Sequence, residues 1–349
     1  MTKALDRSPV HSGESAGGRR RGFALDVRML GLAGVLVLLC LIGFITNPDT
    51  FLTEANISTM LRLAAAIGVV SVGMTFVIIA GGIDLSVGSI VALSSVWMTT
   101  LATQSYGPFV MVLCAVLVGL GCGLVNGFLV AYGRVVPFIM TLAMMASARG
   151  LAERLSGRQT QVVTETGFTE FFRASVLGVP VLVIMLALAY VIGWVVLNRT
   201  TFGRRTYAIG GNAEAARLSG INVKLHTALV YGISGLCCGV AAMMVVARTT
   251  SGASTNGLFY ELDAIAAVVI GGTLLSGGRG SIIGTLIGVL IFTVLNSIFT
   301  QNNLDTDIQN IAKGAIIVGA VLLQHTARRR KGKPRAPSSN PETEPSRSQ

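Results

Sequence analysis

Gly81-Gly82-Ile83-Asp84-Leu85-Ser86-Val87-Gly88 returns later in the chain as Gly271-Gly272-Thr273-Leu274-Leu275-Ser276-Gly277-Gly278, each copy set between apolar runs. The shared pattern is Gly-Gly-x-x-Leu-Ser-x-Gly. A glycine costs a helix roughly 1 kcal/mol relative to alanine, so two matched pairs need a reason. Gly-interrupted apolar segments at corresponding places in two halves of a membrane protein point to a transport site. Freed backbone groups are tolerated at membrane depth only where they line a cavity or are buried in protein. On this reading Gly81, Gly82, Asp84, Ser86, Gly271, Gly272 and Ser276 are candidates for a pathway or gate. The alternative is that both motifs are turns or close-packing points between helices.

The composition sets the class. Of 349 residues, 52% are hydrophobic and 12% charged, with a mean hydropathy of +0.70. Soluble domains carry about 25% charged residues, so the expected fold is all-α and polytopic in a membrane. The net charge of +11 would suit nucleic acid, but the Lys and Arg gather in the two tails and one loop between apolar stretches. That is the positive-inside pattern, and nucleic acid is not an expected partner. Cys40, Cys114, Cys122, Cys237 and Cys238 all sit in apolar runs without metal-ligand spacing, so no structural disulfide or metal site is expected. Arg19-Arg20-Arg21 precedes an apolar run long enough to span, which reads as a basic anchor rather than a cleaved export signal.

Spans need about 20 apolar residues each. They are expected at Val27–Thr46, Leu61–Ala80, Ile83–Ala102, Pro108–Tyr132, Val136–Leu155, Val179–Leu197, His226–Ala247, Ser281–Phe299 and Ile308–Gln324. Between the seventh and the ninth, Ala264–Ser276 offers only about 13 apolar residues, too few for a core of roughly 30 Å. It is either discontinuous or re-entrant, or it borrows the residues around Glu261. The total is therefore about ten spans, or about eight if a hairpin is re-entrant. With ten crossings, about 20 of the 27 basic residues fall on the cytoplasmic side. Both termini are then cytoplasmic, as disordered basic tails at 1–26 and 325–349 flanking a transmembrane body at 27–324. Glycines at four-residue spacing (Gly119, Gly123, Gly127; Gly235, Gly239; Gly280, Gly284, Gly288) read as helix-packing positions.

The basic loop 199–224 holds Asn212-Ala213-Glu214-Ala215-Ala216-Arg217-Leu218-Ser219-Gly220. Asn212 is a good N-cap, Glu214 suits the positive end of the helix dipole, and Gly220 fits the left-handed position that ends a helix. A capped two-turn helix over 213–219 on a cytoplasmic loop looks built to be gripped by another protein, although a plain surface helix has the same marks.

The spacing Glu214-Ala215-Ala216, three residues, then Gly220 resembles the cytoplasmic coupling motif of ABC importer permeases. Phe202-Gly203-Arg204-Arg205, Ala208-Ile209-Gly210-Gly211-Asn212, and both Gly-Gly motifs with their flanks resemble the ribose-type sugar permeases in particular. The likeness covers roughly Val27 to Gln324; the long polar extensions at both ends depart from the compact members of that family. The resemblance implies a bacterial inner-membrane permease subunit importing a small sugar or related polyol. It also implies that Asn212, Glu214, Ala215, Ala216 and Gly220 couple it to a sugar-type ATPase with two cassettes. A periplasmic substrate-binding protein and a second copy or related permease would complete the assembly, surrounded by membrane lipid.

No Gly-x-x-x-x-Gly-Lys-Ser/Thr loop is present, so ATP would be bound by a partner and no cofactor by this chain. No nucleophile elbow or paired-His pattern appears either, so the chain is not expected to be an enzyme. Asp84 is the best-placed ionisable residue. It either shapes the hairpin as a cap or lines the pathway. Ser86, Asn126 and Asn296 are neutral polar groups on apolar spans, suited to a polyol and equally to helix–helix hydrogen bonds. An ion-coupled secondary transporter is the alternative, although that class carries several acids or His in its spans.

Overall fold

The computed structural model describes residues 27–331. The tail at 1–26 and the end of the chain from 332 lie outside the described residues.

Fourteen helices and two short ribbons form the described residues. Six helices are long and apolar enough to cross a membrane: α1 (Val27–Thr46), α2 (Glu54–Ile79), α5 (Pro108–Ala131), α8 (Val181–Arg199), α11 (Val223–Thr249) and α13 (Ile282–Gln301). Between them lie α3 (Val87–Met98), α4 (Leu101–Gln104), α6 (Pro137–Ser156), α7 (Thr166–Arg173), α9 (Thr201–Gly211), α10 (Ala213–Leu218) and α12 (Tyr260–Ile270). Last comes α14 (Thr306–Lys331), which carries helix past Gln324 into the basic stretch expected as tail.

Three boundaries differ from expectation. α2 starts at Glu54 rather than Leu61, because the Thr53 hydroxyl caps it by accepting from Asn56 N at 3.3 Å. The expected third span splits. Its helical part starts only at Val87, and Thr100 caps the separate α4 by accepting from Thr103 N at 3.2 Å. α12 does borrow the residues around Glu261, yet its 11 residues rise only about 16 Å. It ends well short of a full crossing.

α11 is the axis of the fold, packing on α5, α2 and α3. Lipid tails are as apolar as leucine, so helices in a membrane associate through close packing rather than water exclusion. Here α5 and α11 run antiparallel with backbones nearly touching. A Cβ on Gly119 would lie 2.7 Å from Gly239 N, one on Gly123 2.9 Å from Gly235 Cα, and one on Gly127 2.6 Å from Ala228 Cα. α12 and α13 meet in the same way, Gly288 against the Ala267 carbonyl and Gly284 against that of Gly271. The four-residue glycine spacing is therefore packing.

α11 also separates the two ends of the bundle. Its 27 residues rise about 40 Å. Beyond its carboxyl end, Ser251–Gly252 (β4) pairs with Gln161–Val162 (β1). Nearby, Arg149 of α6 donates to the carbonyls of Ser254 and Asn256. Just before its amino end stands α10. A second ribbon, Ser175–Val176 (β2) with Val179–Pro180 (β3), leads into α8.

Candidate functional site

Both Gly-Gly motifs terminate a helix by the same backbone device. After α2, Gly81 N donates to Ile78 O at 3.0 Å and Gly82 N to Val77 O at 2.9 Å, with Gly81 at φ +86°. After α12, Gly272 N donates to Val269 O at 3.0 Å and Thr273 N to Val268 O at 3.1 Å, with Gly272 at φ +101°. This is the left-handed helix stop that glycine fills without strain. The sequence match sets Gly81 beside Gly271; the backbone sets it beside Gly272. The register of the repeat is thus shifted by one residue, because each glycine pair offers two candidates for the left-handed position.

Beyond the stops the two copies diverge. After the first, Asp84 is fully buried. Its Oδ1 accepts from Ser86 N at 3.0 Å and Ser86 Oγ at 2.6 Å, and its Oδ2 from Ser234 Oγ of α11 at 2.9 Å. Asn126 Nδ2 of α5 donates to Ser86 Oγ at 2.8 Å. The Ile83 carbonyl accepts from Tyr231 Oη at 3.3 Å and Thr141 Oγ1 at 3.4 Å. Three helices therefore bracket residues 83–86, and Asp84 makes its backbone bond as a turn onto Ser86 rather than as the residue preceding α3. The Asn126 Oδ1 is buried among the described residues without a hydrogen-bond partner.

The second stop is held differently. Leu274 N donates to Arg279 O at 3.0 Å and Gly277 N to Leu274 O at 2.9 Å, closing a tight turn. Ser276 on this turn is exposed, and Asn296 sits apart on α13. Asp84, Ser86 and Asn126 thus come together, whereas Ser276 and Asn296 do not join them. Ser234, Tyr231 and Thr141 complete the bracket and carry no sequence signal, being single hydroxyls on apolar helices.

At the same end of the bundle, α10 stands in solvent, capped at both ends. Asn212 Oδ1 accepts from Ala215 N at 3.0 Å. Gly220, at φ +83°, donates to Arg217 O at 3.0 Å, and Ile221 N to Ala216 O at 3.1 Å. Arg217 grips Glu214 through two bonds of 3.0 and 2.7 Å, which hold the Glu214 carboxyl below its ordinary pKa. Ala216 is buried beneath, while Leu218 is 73% exposed. The rest of the expected loop is not irregular: α9 occupies Thr201–Gly211.

Residues 56–321 match the model of a family described as branched-chain amino acid transport system / permease component. The chain belongs to this permease family. Among its relatives, the ribose import permease protein RbsC of Bacillus subtilis is 46% identical, over 82% of this chain and 90% of its own length. The ribose import permease protein RbsC of Escherichia coli K12 is 40% identical over 84% and 92%, respectively. The galactose/methyl galactoside import permease protein MglC of the same strain is 35% identical over 87% and 96%. No solved structure matches.

The permease is a multi-pass membrane protein, and its buried carboxylate invites a direct test. Asp84→Asn keeps the acceptor toward Ser86 but turns a donor on Ser234. A typical intramolecular hydrogen bond contributes about 0.5–1.5 kcal/mol net. We expect uptake per molecule in the membrane to fall while insertion stays near normal. Uptake normalised to membrane-inserted protein reads this directly; normal uptake, or misfolding, would count against a pathway role for Asp84 and leave it a turn-shaping residue.

Proposed function

We propose that the chain is the transmembrane subunit of an ATP-driven importer that forms the path of a small sugar or related polyol across the bacterial inner membrane. The observation that carries this reading is α10, an exposed, doubly capped helix one residue beyond α9, whose end meets both helix stops. It is the element for a partner to grip, through Asn212, Glu214, Ala215, Ala216 and Gly220. That partner is a sugar-type ATPase with two cassettes, which binds the ATP; the permease needs no cofactor of its own. A periplasmic substrate-binding protein delivers the sugar, and a second copy or related permease completes the pathway. Ribose and galactose import by the relatives supports the substrate class, as do the neutral hydroxyls and amide around Asp84. Gly81, Gly82, Asp84, Ser86 and Asn126 gate the first stop, and Gly271, Gly272, Ser276 and Asn296 belong to the second half of the pathway.

The proposed topology has ten crossings: the six long apolar helices, α3 with α4, α6, α14, and α12 with the turn after it as one discontinuous span. Tails at 1–26 and 325–349 and the loop 199–224 are cytoplasmic, and α7 is periplasmic. A membrane-impermeant thiol reagent on intact cells should label Thr169→Cys and spare Ser219→Cys; the reverse would overturn the orientation. The function itself is tested by expressing the chain with its ATPase and binding protein and offering labelled D-ribose, D-allose and D-galactose. Uptake of at least one, lost when the permease is deleted, is the expected result. Uptake of none would reject the sugar class.

A further inference from the structure

Where α9 ends, three segments far apart in sequence meet backbone to backbone. Gly278 N, in the turn after α12, donates at 2.8 Å to the carbonyl of Ile79, the last residue of α2. A Cβ on Gly277 would lie 3.0 Å from Gly81 Cα, and one on Gly278 3.0 Å from Gly211 Cα. One on Gly210 would run into the Ile79 carbonyl and come within 2.6 Å of Gly278 N. Tyr207 Oη of α9 donates to the Gly280 carbonyl at 2.9 Å, and Phe202 of α9 packs on Phe76 of α2 with ring centroids 6.2 Å apart. α9 therefore touches both helix stops at once.

Nothing flexible lies between this contact and α10. Asn212 alone separates the two helices and serves both: its N–H donates to Ala208 O of α9 at 3.0 Å, and its carbonyl accepts from Ala216 N of α10 at 3.0 Å. At Gly210, Gly277 and Gly278 no side chain intervenes, so no rotamer change can absorb a displacement. Packed interiors of low compressibility pass such a displacement on.

We propose that Gly81, Gly210, Gly277 and Gly278, pinned by Tyr207, form one rigid block through which a movement of α10 drives both helix stops together. This rests on the importer reading above and adds the route by which the coupling helix acts on the membrane segments. Tyr207 and Gly278 are on this account positioning residues.

The test uses the whole complex, permease with ATPase and binding protein, in proteoliposomes supplied with a labelled mixture of D-ribose, D-allose and D-galactose. The readout is ATP hydrolysed per sugar taken up. Gly278→Ala places a methyl against Gly211 at a backbone φ of +74°. It should leave the complex assembled and hydrolysing while uptake falls at least about fivefold, the lower bound for a lost coupling between sites. Tyr207→Phe, which removes only one hydroxyl, should raise the ratio in the same direction by less. Gly121→Ala on α5, whose Cβ would meet open space, should leave it unchanged. Uptake and hydrolysis that fall in step, an unchanged ratio in Gly278→Ala, or loss of assembly in Tyr207→Phe would each reduce the block to ordinary packing. Uptake by the unsubstituted complex without ATP would instead overturn the importer reading, and this inference with it.

Discussion

Replacing Ala213–Gly220 with a flexible Gly/Ser stretch should nearly abolish ATP-dependent uptake while the permease still inserts and folds. The loss is expected toward the upper end of the about 5–150-fold range typical of couplings between sites, because the replacement removes the whole gripped element. The membrane body should not feel it: apart from Ala216, the residues of 213–220 are exposed. Gly220→Val is a finer version of the same experiment. No atom lies within 4 Å of the added Cβ, so its cost comes from the backbone at φ +83° alone, about 1–3 kcal/mol for a non-glycine residue held there. Gly220→Asn, which tolerates the left-handed region better, should retain more association than valine. Co-purification of the ATPase and uptake from the same membranes decide the matter. Normal uptake with the Gly/Ser stretch would remove α10 from coupling.

The largest effect on stability is expected at the crossing of α5 and α11. A Cβ on Gly123 meets the Tyr231 carbonyl and lies 2.9 Å from Gly235 Cα and 3.0 Å from Gly235 N. All three are backbone atoms of one helix, so Gly123→Val must push the helices apart. Overpacking costs typically about 1–3 kcal/mol, and a contact made only of backbone has little means of relaxing. Separation would also carry Tyr231 and Ser234 away from Ile83 and Asp84, opening the bracket around residues 83–86. Gly121→Val, two residues away on the same helix and facing open space, is the internal control. In detergent, Gly123→Val should lose its monodisperse fraction and melt at lower temperature, while Gly121→Val stays close to the unsubstituted chain. Equal behaviour of the two would contradict the crossing described.

Much of this architecture is legible from the chain alone, and the exceptions are instructive. α1 ends at Thr46 as expected, and α5 and α6 start at Pro108 and Pro137, because apolar runs bounded by proline or polar residues set those limits locally. The capped helix at Asn212–Gly220 is equally local, each cap lying within a few residues of what it satisfies. The start of α3 is not. Residues 83–86 stay out of the helix because Asp84 and Ser86 find partners on α11 and α5, which only the tertiary fold supplies. The one-residue shift between the repeats escapes sequence matching for a related reason. Gly271 serves close approach to the Gly284 carbonyl rather than a left-handed turn, and both uses call for the same residue. α9, lying in a basic stretch, reads as loop because its buried positions, Gly203, Thr206 and Ile209, include a single aliphatic side chain.

The energy source separates an ATP-driven importer from an ion-coupled transporter. Purified permease, its ATPase and its binding protein should be reconstituted in proteoliposomes, and accumulation of labelled D-ribose, D-allose or D-galactose measured under two conditions. One supplies ATP with a protonophore that collapses ion gradients; the other supplies an imposed proton or sodium gradient without ATP. Accumulation in the first condition and none in the second is the expected outcome. Accumulation driven by the gradient alone would contradict it and identify an ion-coupled transporter.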